Sequence, residues 1–536
     1  MKKFDTFGVM IDMSRNAVMS IDALKRFLPL LKKMGYNCVM LYTEDTYEVD
    51  GEPYFGYMRG RYTKDELKEI DAYAASLGIE VIPCIQTLAH MKAFFRWNKV
   101  KVDCDDILLT DDERTYELID RMFATLSECI VSRRIHVGMD EAHMLGRGRH
   151  LDIHGYETVN DIMKRHLAKV CEIAKKYGYE DIILWSDMYF RPWNNGRYVI
   201  PKTKMPHEIV ESVPKEVSPV YWDYYQTSEQ IYSDMIENHK QLSKKMFFAG
   251  GAWCWSGMIP FNRFSLESMI PAINACKKHR VRNVFMTMWG DDGAECSHFS
   301  QLPSLFYIAE YAKGNTDENR IKAKFKTLTG IDYDEFMAID LPNEILGRAK
   351  FPHNPSKYML YSDYFNDYLD YTVKEGEGRK YEEYSARLSA TAKKSRRYGY
   401  VFDAAAKLCD VLAIKYELGL RTRRAYEAGD KEMLRSLAEN EYLQVAKRLK
   451  TYTDAFEKQW MRDNKPHGFD VQDMRLGGLL RRTESCRRRI LDYVNGRIDR
   501  IEELDEKLLP FGSPESTMDF NCALFNETVN VFAHGY

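Results

Sequence analysis

Short apolar runs rich in β-branched residues recur through the first 290 residues. They are FGVMID (7–12), NCVMLY (37–42), IEVIPCI (79–85), RIHVGM (134–139), IILWSD (182–187), PVYWDY (219–224), MFFAGG (246–251) and NVFMTM (283–288). Most are near-continuous rather than alternating, the pattern of parallel strands covered on both faces. Amphipathic segments separate most of them. SIDALKRFLPLLKKMG opens on a Ser20 cap and stops at Gly35, and TKDELKEIDAYAASLG repeats that grammar between Thr63 and Gly78. DDERTYELIDRMFATLSECI, NDIMKRHLAKVCEIAKKYG and SLESMIPAINACKKH follow. The connection 188–218 carries several prolines and only MPHEIVESV as a short helix.

Strands alternating with helices in this number predict an α/β fold, a (β/α)8 TIM barrel. A doubly wound open sheet is the alternative, but no GxGxxG follows any strand. Beyond about residue 345 strand-like runs vanish. Residues 380–450 and 470–508 are rich in Ala, Leu, Glu, Lys and Arg at helical spacing. The expected division is therefore a catalytic barrel over 1–345 and an α-helical C-terminal domain over 346–536.

Composition narrows the class. The 536 residues carry a formal net charge of −3, so no global field recruits nucleic acid or membrane. The basic patch RRTESCRRRI (481–490) reads as a solvated helix face or as intramolecular salt bridges rather than an RNA site. No apolar run reaches the roughly 18 residues of a membrane span, and MKKFDTFGVMIDMSR lacks a signal peptide's apolar region. The 11 cysteines form no CxxC pair, which favours reduced thiols and a cytoplasmic setting.

In a barrel, functional residues sit at the C-terminal ends of strands. Those ends supply Asp12, Ser14 and Arg15; Glu44 and Asp45; Gln86 and His90; Asp140 and Glu141; Trp185 and Asp187; Trp222, Asp223, Tyr224 and Tyr225; Trp253 and Trp255; and Trp289, Asp291, Asp292 and Glu295. Tryptophan near four consecutive strand ends, at 185, 222, 253 and 289, suggests a box that stacks on a pyranose ring. Adjacent acids at 140 and 141 admit three readings. They could cap a following helix. With His136 and His143 they could ligate a metal, although the spacing matches no standard zinc site. They could form a glycosidase pair, in which mutual repulsion splits the two pKa values and hence the roles.

HVGMDE resembles the H-x-G-x-D-E signature of glycoside hydrolase family 20, the β-N-acetylhexosaminidases. FGVMIDMSR, YTED, QTLAH, LWSD, YWDYY and MWGDD resemble further segments of that family, in matching order over residues 5 to 312. The resemblance implies an exo-β-N-acetylhexosaminidase with a retaining, substrate-assisted mechanism, in which the sugar's 2-acetamido oxygen attacks the anomeric carbon. It makes Glu141 the general acid, then base, and Asp140 the residue that holds the acetamido N–H and steadies the oxazolinium-like charge. His136 would support the pair. Substrate contacts are expected from Arg15, Asp45, His90, Trp185, Trp222, Tyr224, Tyr225, Trp253, Trp289 and Asp291, with no metal and no cofactor. The expected partners are N-acetylhexosamine-terminated oligosaccharides, with a homodimer through the helical domain.

Two positions depart from the family's pattern. Phe7 stands where many members carry an Arg that grips O3 and O4, and Cys254 follows Trp253 where a Tyr is common. Arg15, and Tyr224 or Tyr225, are the expected replacements. An ordinary retaining glycosidase and a non-catalytic carbohydrate-binding barrel are the competing readings.

Overall fold

A computed structural model describes residues 4–255, 257–345, 354–370, 373–509 and 525. Strands β1 (Thr6–Asp12), β2 (Cys38–Tyr42), β3 (Glu80–Cys84), β4 (Arg134–His136), β5 (Asp181–Trp185), β6 (Val217–Trp222), β7 (Phe247–Gly251) and β8 (Asn283–Met288) close into one parallel barrel in chain order. The register between the first and last strands runs from Thr6 opposite Asn283 to Ile11 opposite Met288. Nearly every strand residue is buried, as the near-continuous apolar runs require.

The helices begin and end where their chemistry says. Ser20 accepts the amide of Ala23 ahead of Ile21–Met34, and Gly35 closes that helix at φ 97°. Thr63 and Glu66 form a reciprocal capping box ahead of Lys64–Ser76. Between β5 and β6 the chain makes two short 3-10 turns, Asp187–Tyr189 and Arg191–Trp193, and the short helix His207–Ser212.

The main departure from the sequence pattern is β4. Its apolar run extends to Met139, yet the strand stops at His136, because Gly138 (φ 74°), Met139 (φ 71°) and Glu141 (φ 51°) turn left-handed. No helix starts there either. The next begins at Arg149, so the adjacent acids cap nothing.

The described residues group into two units. The first holds 1–252, 265–289 and 304–321, which contains the barrel strands. The second holds 253–264, 290–303 and 322–536. Its long helices are Gly378–Lys394, Gly399–Glu427, Glu441–Asp463 and Phe469–Val494. The second unit also takes up the chain that follows β7 and β8. There Asn262 donates to Asp340 at 2.8 Å, Ser297 to Asp463 at 2.5 Å, and Asn343 to the carbonyl of Ile259 at 3.2 Å. The basic patch is spent internally. Arg482 binds Asp363 at 2.5 and 2.8 Å, and Arg489 reaches Glu502 and Glu503 at 2.8 and 3.0 Å. Among the described residues no helix is long and apolar enough to cross a membrane.

Candidate active site

The turn after β4 is held by its neighbours. His136 Nδ1 accepts the Gly138 amide at 3.1 Å while its ring packs on Trp185, so this histidine supports the turn that carries the acids. Burial drives the His136 pKa down to about 3, which keeps the imidazole neutral. A Cβ on Gly138 would lie 2.0 Å from Gln86 Oε1 and 2.7 Å from the Ile85 carbonyl, so the glycine is obligatory. Gln86 then bridges the site. Its Oε1 accepts the Met139 amide at 3.1 Å, and its Nε2 donates to Asp140 Oδ1 at 2.8 Å and to the Tyr42 hydroxyl at 3.0 Å.

The two acids occupy different environments. Asp140 is buried, and its Oδ2 lies 3.2 Å from His90 Nε2. Burial alone would raise its pKa, but the His90 charge and the donors from His90 and Gln86 outweigh it and hold the carboxylate ionised below its ordinary range. Burial acts to lower His90, yet Asp140 wins and lifts it to about 9. His90 is itself left-handed (φ 58°), pinned by its amide on Asp106 Oδ2 at 3.1 Å. Glu141 has a side chain 40% exposed, with His90 Nε2 at 3.9 Å and Arg191 Nη2 at 3.8 Å from its carboxylate. Its amide donates to Asp187 Oδ2 at 3.0 Å.

The end of β1 is an Asp-centred turn. Asp12 Oδ1 accepts the Ser14 amide and hydroxyl, both at 2.8 Å, and the Arg15 amide at 3.3 Å. This aims Arg15 at Glu44, with Nε to Oε1 at 2.9 Å, and the Tyr42 hydroxyl reaches the same oxygen at 3.2 Å. Asp45 turns the other way. It is buried against Arg59, which also binds the Ser14 carbonyl. Phe7 is packed on Phe4 and Tyr36 with ring centroids at 5.7 and 4.6 Å.

Three of the four tryptophans at strand ends lie in the first unit and form one aromatic run. Trp185 is 1% exposed and lies 5.9 Å from Trp289, centroid to centroid. Trp289 meets Tyr42 edge-on at 4.8 Å and hydrogen-bonds the Tyr224 hydroxyl. Tyr224 stacks on Trp222 at 5.5 Å, and Tyr225, 38% exposed, follows at 5.7 Å. Trp185 is thus a floor beneath the run, whereas Trp222 and Tyr225 keep exposed surface.

Trp253 and Asp291 belong to the second unit. There Trp253 is buried and stacks on Trp255 at 3.8 Å and 22°. The acids beside Asp291 are neutralised. Asp292 pairs with Lys357 at 2.6 Å and Arg475 at 2.9 Å, and Glu295 with the same two cations at 2.9 Å each.

Residues that the sequence reading passed over are Tyr42 and Arg191, the second in the connection that showed no periodic pattern. Asp187 and Gln86 were visible only as strand-end polars. Among the described residues, His136, Asp140, Glu141 and His143 do not gather at ligating distance. The group that does is Asp111, His150 and Glu157, and Arg165 already pairs with both of its carboxylates, at 2.7 and 2.8 Å.

Residues 4–244 match the model of the glycosyl hydrolase family 20 catalytic domain, and residues 334–522 match that of the glycoside hydrolase 20C C-terminal domain. Hexosaminidase D of Bos taurus is 22% identical over 347 residues, covering 59% of this chain and 94% of that protein. Hexosaminidase D of Homo sapiens is 25% identical over 222 residues, covering 39% of this chain and 43% of that one. The match thus takes in nearly all of one relative and less than half of the other. The GH20 exo-β-N-acetylglucosaminidase from Vibrio harveyi, solved with N-acetylglucosamine, superposes with a TM-score of 0.47 at 14% identity, over 65% of this chain and 59% of that chain.

Proposed function

This chain belongs to glycoside hydrolase family 20, and on that premise we propose that it is an exo-β-N-acetylhexosaminidase. It removes terminal, non-reducing β-linked GlcNAc or GalNAc from oligosaccharides, with retention and through an oxazolinium intermediate. The observation that carries this reading is the unequal environment of the two adjacent acids. Asp140 is buried and kept anionic by His90 and Gln86, which suits it to hold the acetamido N–H and balance positive charge on the bicyclic intermediate. Glu141 is the more exposed of the two, which suits a group that must meet the leaving oxygen and then a water.

The acetamido oxygen attacks the anomeric carbon as that carbon's bond to the leaving oxygen breaks, and Glu141 delivers its proton to the departing alkoxide. Water then adds to the same carbon, Glu141 takes its proton, and the acetamido group is restored. Trp289, Trp222 and Tyr225 would flank the ring, with Trp185 beneath. Tyr224, fixed by the Trp289 indole, is our candidate donor to the acetamido oxygen. Arg15, paired with Glu44, takes the place that Phe7 vacates at the outer hydroxyls. Asp45, held by Arg59, would reach sugar only by exchanging that partner. His90 acts through Asp140. We assign catalysis to residues 1–345 and place the protein in the cytoplasm, acting on imported oligosaccharides as a homodimer through its helical domain.

The test joins mechanism to identity. A thiazoline analogue of the bicyclic intermediate should inhibit competitively and far more tightly than N-acetylglucosamine. Glu141→Gln should lower kcat on chitobiose by about a hundredfold or more, and less on aryl glycosides with good leaving groups. If thiazoline fails to bind while a 2-deoxy-2-fluoro glycoside traps an ester on a carboxylate, an ordinary retaining mechanism replaces this one.

A further inference from the structure

The connection between β5 and β6 brings two charged side chains to the acid turn that the scheme above does not use. Asp187 is fully buried, two residues beyond the end of β5. Its Oδ2 accepts the Glu141 amide at 3.0 Å and faces Arg191 Nε at 3.3 Å, and its Oδ1 faces the Trp222 indole N–H at 3.4 Å. Arg191 lies between two carboxylates, because its Nη2 is also 3.8 Å from Glu141 Oε1. Its guanidinium is steadied over the rings of Tyr198 and Trp222, 5.6 and 5.8 Å from their centroids. Glu141 sits at φ 51°, a conformation that a glutamate adopts only when its surroundings impose it. The buried acceptor on its amide is such an imposition.

We propose that Asp187 and Arg191 are positioning residues for Glu141. Asp187 holds the Glu141 main chain in its left-handed turn and shares Arg191 with the Glu141 carboxyl, so the pair aims that carboxyl at the leaving oxygen. This rests on Glu141 being the general acid. The other charged groups that face the cluster are Asp140 after β4 and His90 after β3, and β6 adds only the neutral Trp222 indole. Burial, with Asp140 and Glu141 adding to it, raises Asp187 to about 7 against the pull of the Glu141 amide and Arg191.

The leaving group separates positioning from mere support, because a misplaced general acid fails most where the departing oxygen is a strong base. Arg191→Met and Asp187→Asn should each lower kcat on chitobiose about tenfold or more with KM little changed. Both should lose far less on a nitrophenyl N-acetylglucosaminide, since only the poorer leaving group needs the full proton. Arg191→Lys keeps a cation beside both carboxylates and should recover part of the loss. The experiment records kcat and KM of the wild type and the three variants on the two substrates. A loss selective for chitobiose, with partial recovery in Arg191→Lys, supports the pair; equal losses on both substrates, or none, overturn it. Should Asp187→Asn fail to fold, the two Arg191 variants decide alone, and the absence of a selective loss overturns the proposal. An inactive wild type would remove the hydrolase reading, and this inference with it. An active wild type whose variants keep its ratio between the two substrates removes only the inference.

Discussion

Asp140 and His90 sustain one another's charge, and the consequence is a pH-dependent share of stability. His90 is raised from an ordinary value of 6.5 to about 9 in the folded chain. A group raised on folding contributes fully below its unfolded pKa and loses that contribution as pH climbs through the folded value. The His90–Asp140 pair should therefore stabilise the fold up to about pH 6.5 and fade toward pH 9. Asp140, lowered on folding, sets the other edge, and its contribution is lost only as acid protonates it. His90→Gln should unfold at lower urea than the wild type near pH 6, and the gap in midpoint should narrow by pH 9.5. A gap that stays constant across this window would mean that His90 is neutral in the native state. Activity offers an independent reading, because a neutral glutamine cannot keep Asp140 anionic as well as a cation does.

At the scale of elements, the decisive piece is the turn that stops β4 three residues early. A parallel strand continued to Met139 would alternate its side chains and send neighbouring acids to opposite faces. The left-handed residues at 138, 139 and 141 break that alternation. They let Gln86, from the end of β3, hold both the Met139 amide and Asp140. Gly138→Ala tests this directly. Its methyl group would collide with Gln86 Oε1 and the Ile85 carbonyl in a conformation that alanine disfavours. We expect a loss of roughly 2–4 kcal/mol in stability by urea unfolding. Activity should fall with it, since Gln86 can give way only by leaving Asp140. A variant with wild-type unfolding and turnover would show that the turn is not under this constraint.

At the scale of the molecule, the helical unit is more than an appendage to the last strand. It includes residues 253–264 and 290–303, the stretches that follow β7 and β8, and ties them down with buried polar contacts. Lys357 and Arg475 neutralise Asp292 and Glu295, and Asp463 accepts from Ser297. Removing either cation would leave a single positive charge for two carboxylates, of which Glu295 is buried, a costly state. A chain ending at residue 345 loses all three partners. It should aggregate or resist refolding, as seen by light scattering, before its chemistry can be judged. A soluble, active monomer of that length would show that the helical unit is dispensable. For the full chain, the same measurement gives the mass in solution, and a dimer is expected.

The sequence by itself determined the barrel, the helical tail, the acid pair and the tryptophans at strand ends. These are local properties. An apolar run of strand length, a Ser20 or Thr63 cap, a Gly35 stop and an H-x-G-x-D-E string are each written within a few consecutive residues. Even the fate of the 481–490 arginines was legible in outline, since charges on a helix normally find acids nearby. Only the tertiary structure decided which groups meet. Gln86 reaches Asp140 across 54 positions and Asp187 reaches the Glu141 amide across 46, and neither pairing leaves a period or a motif. Nor could composition show that Trp185 is sealed below the aromatic run while Trp222 stays accessible, or that Arg59 occupies Asp45 and leaves Glu44 for Arg15. Such choices depend on burial and on competition between partners brought together by the closed barrel. Arg191 is the clearest case. It sits in a connection without hydrophobic pattern, and its place beside the acid turn exists only because β5 closes next to β4.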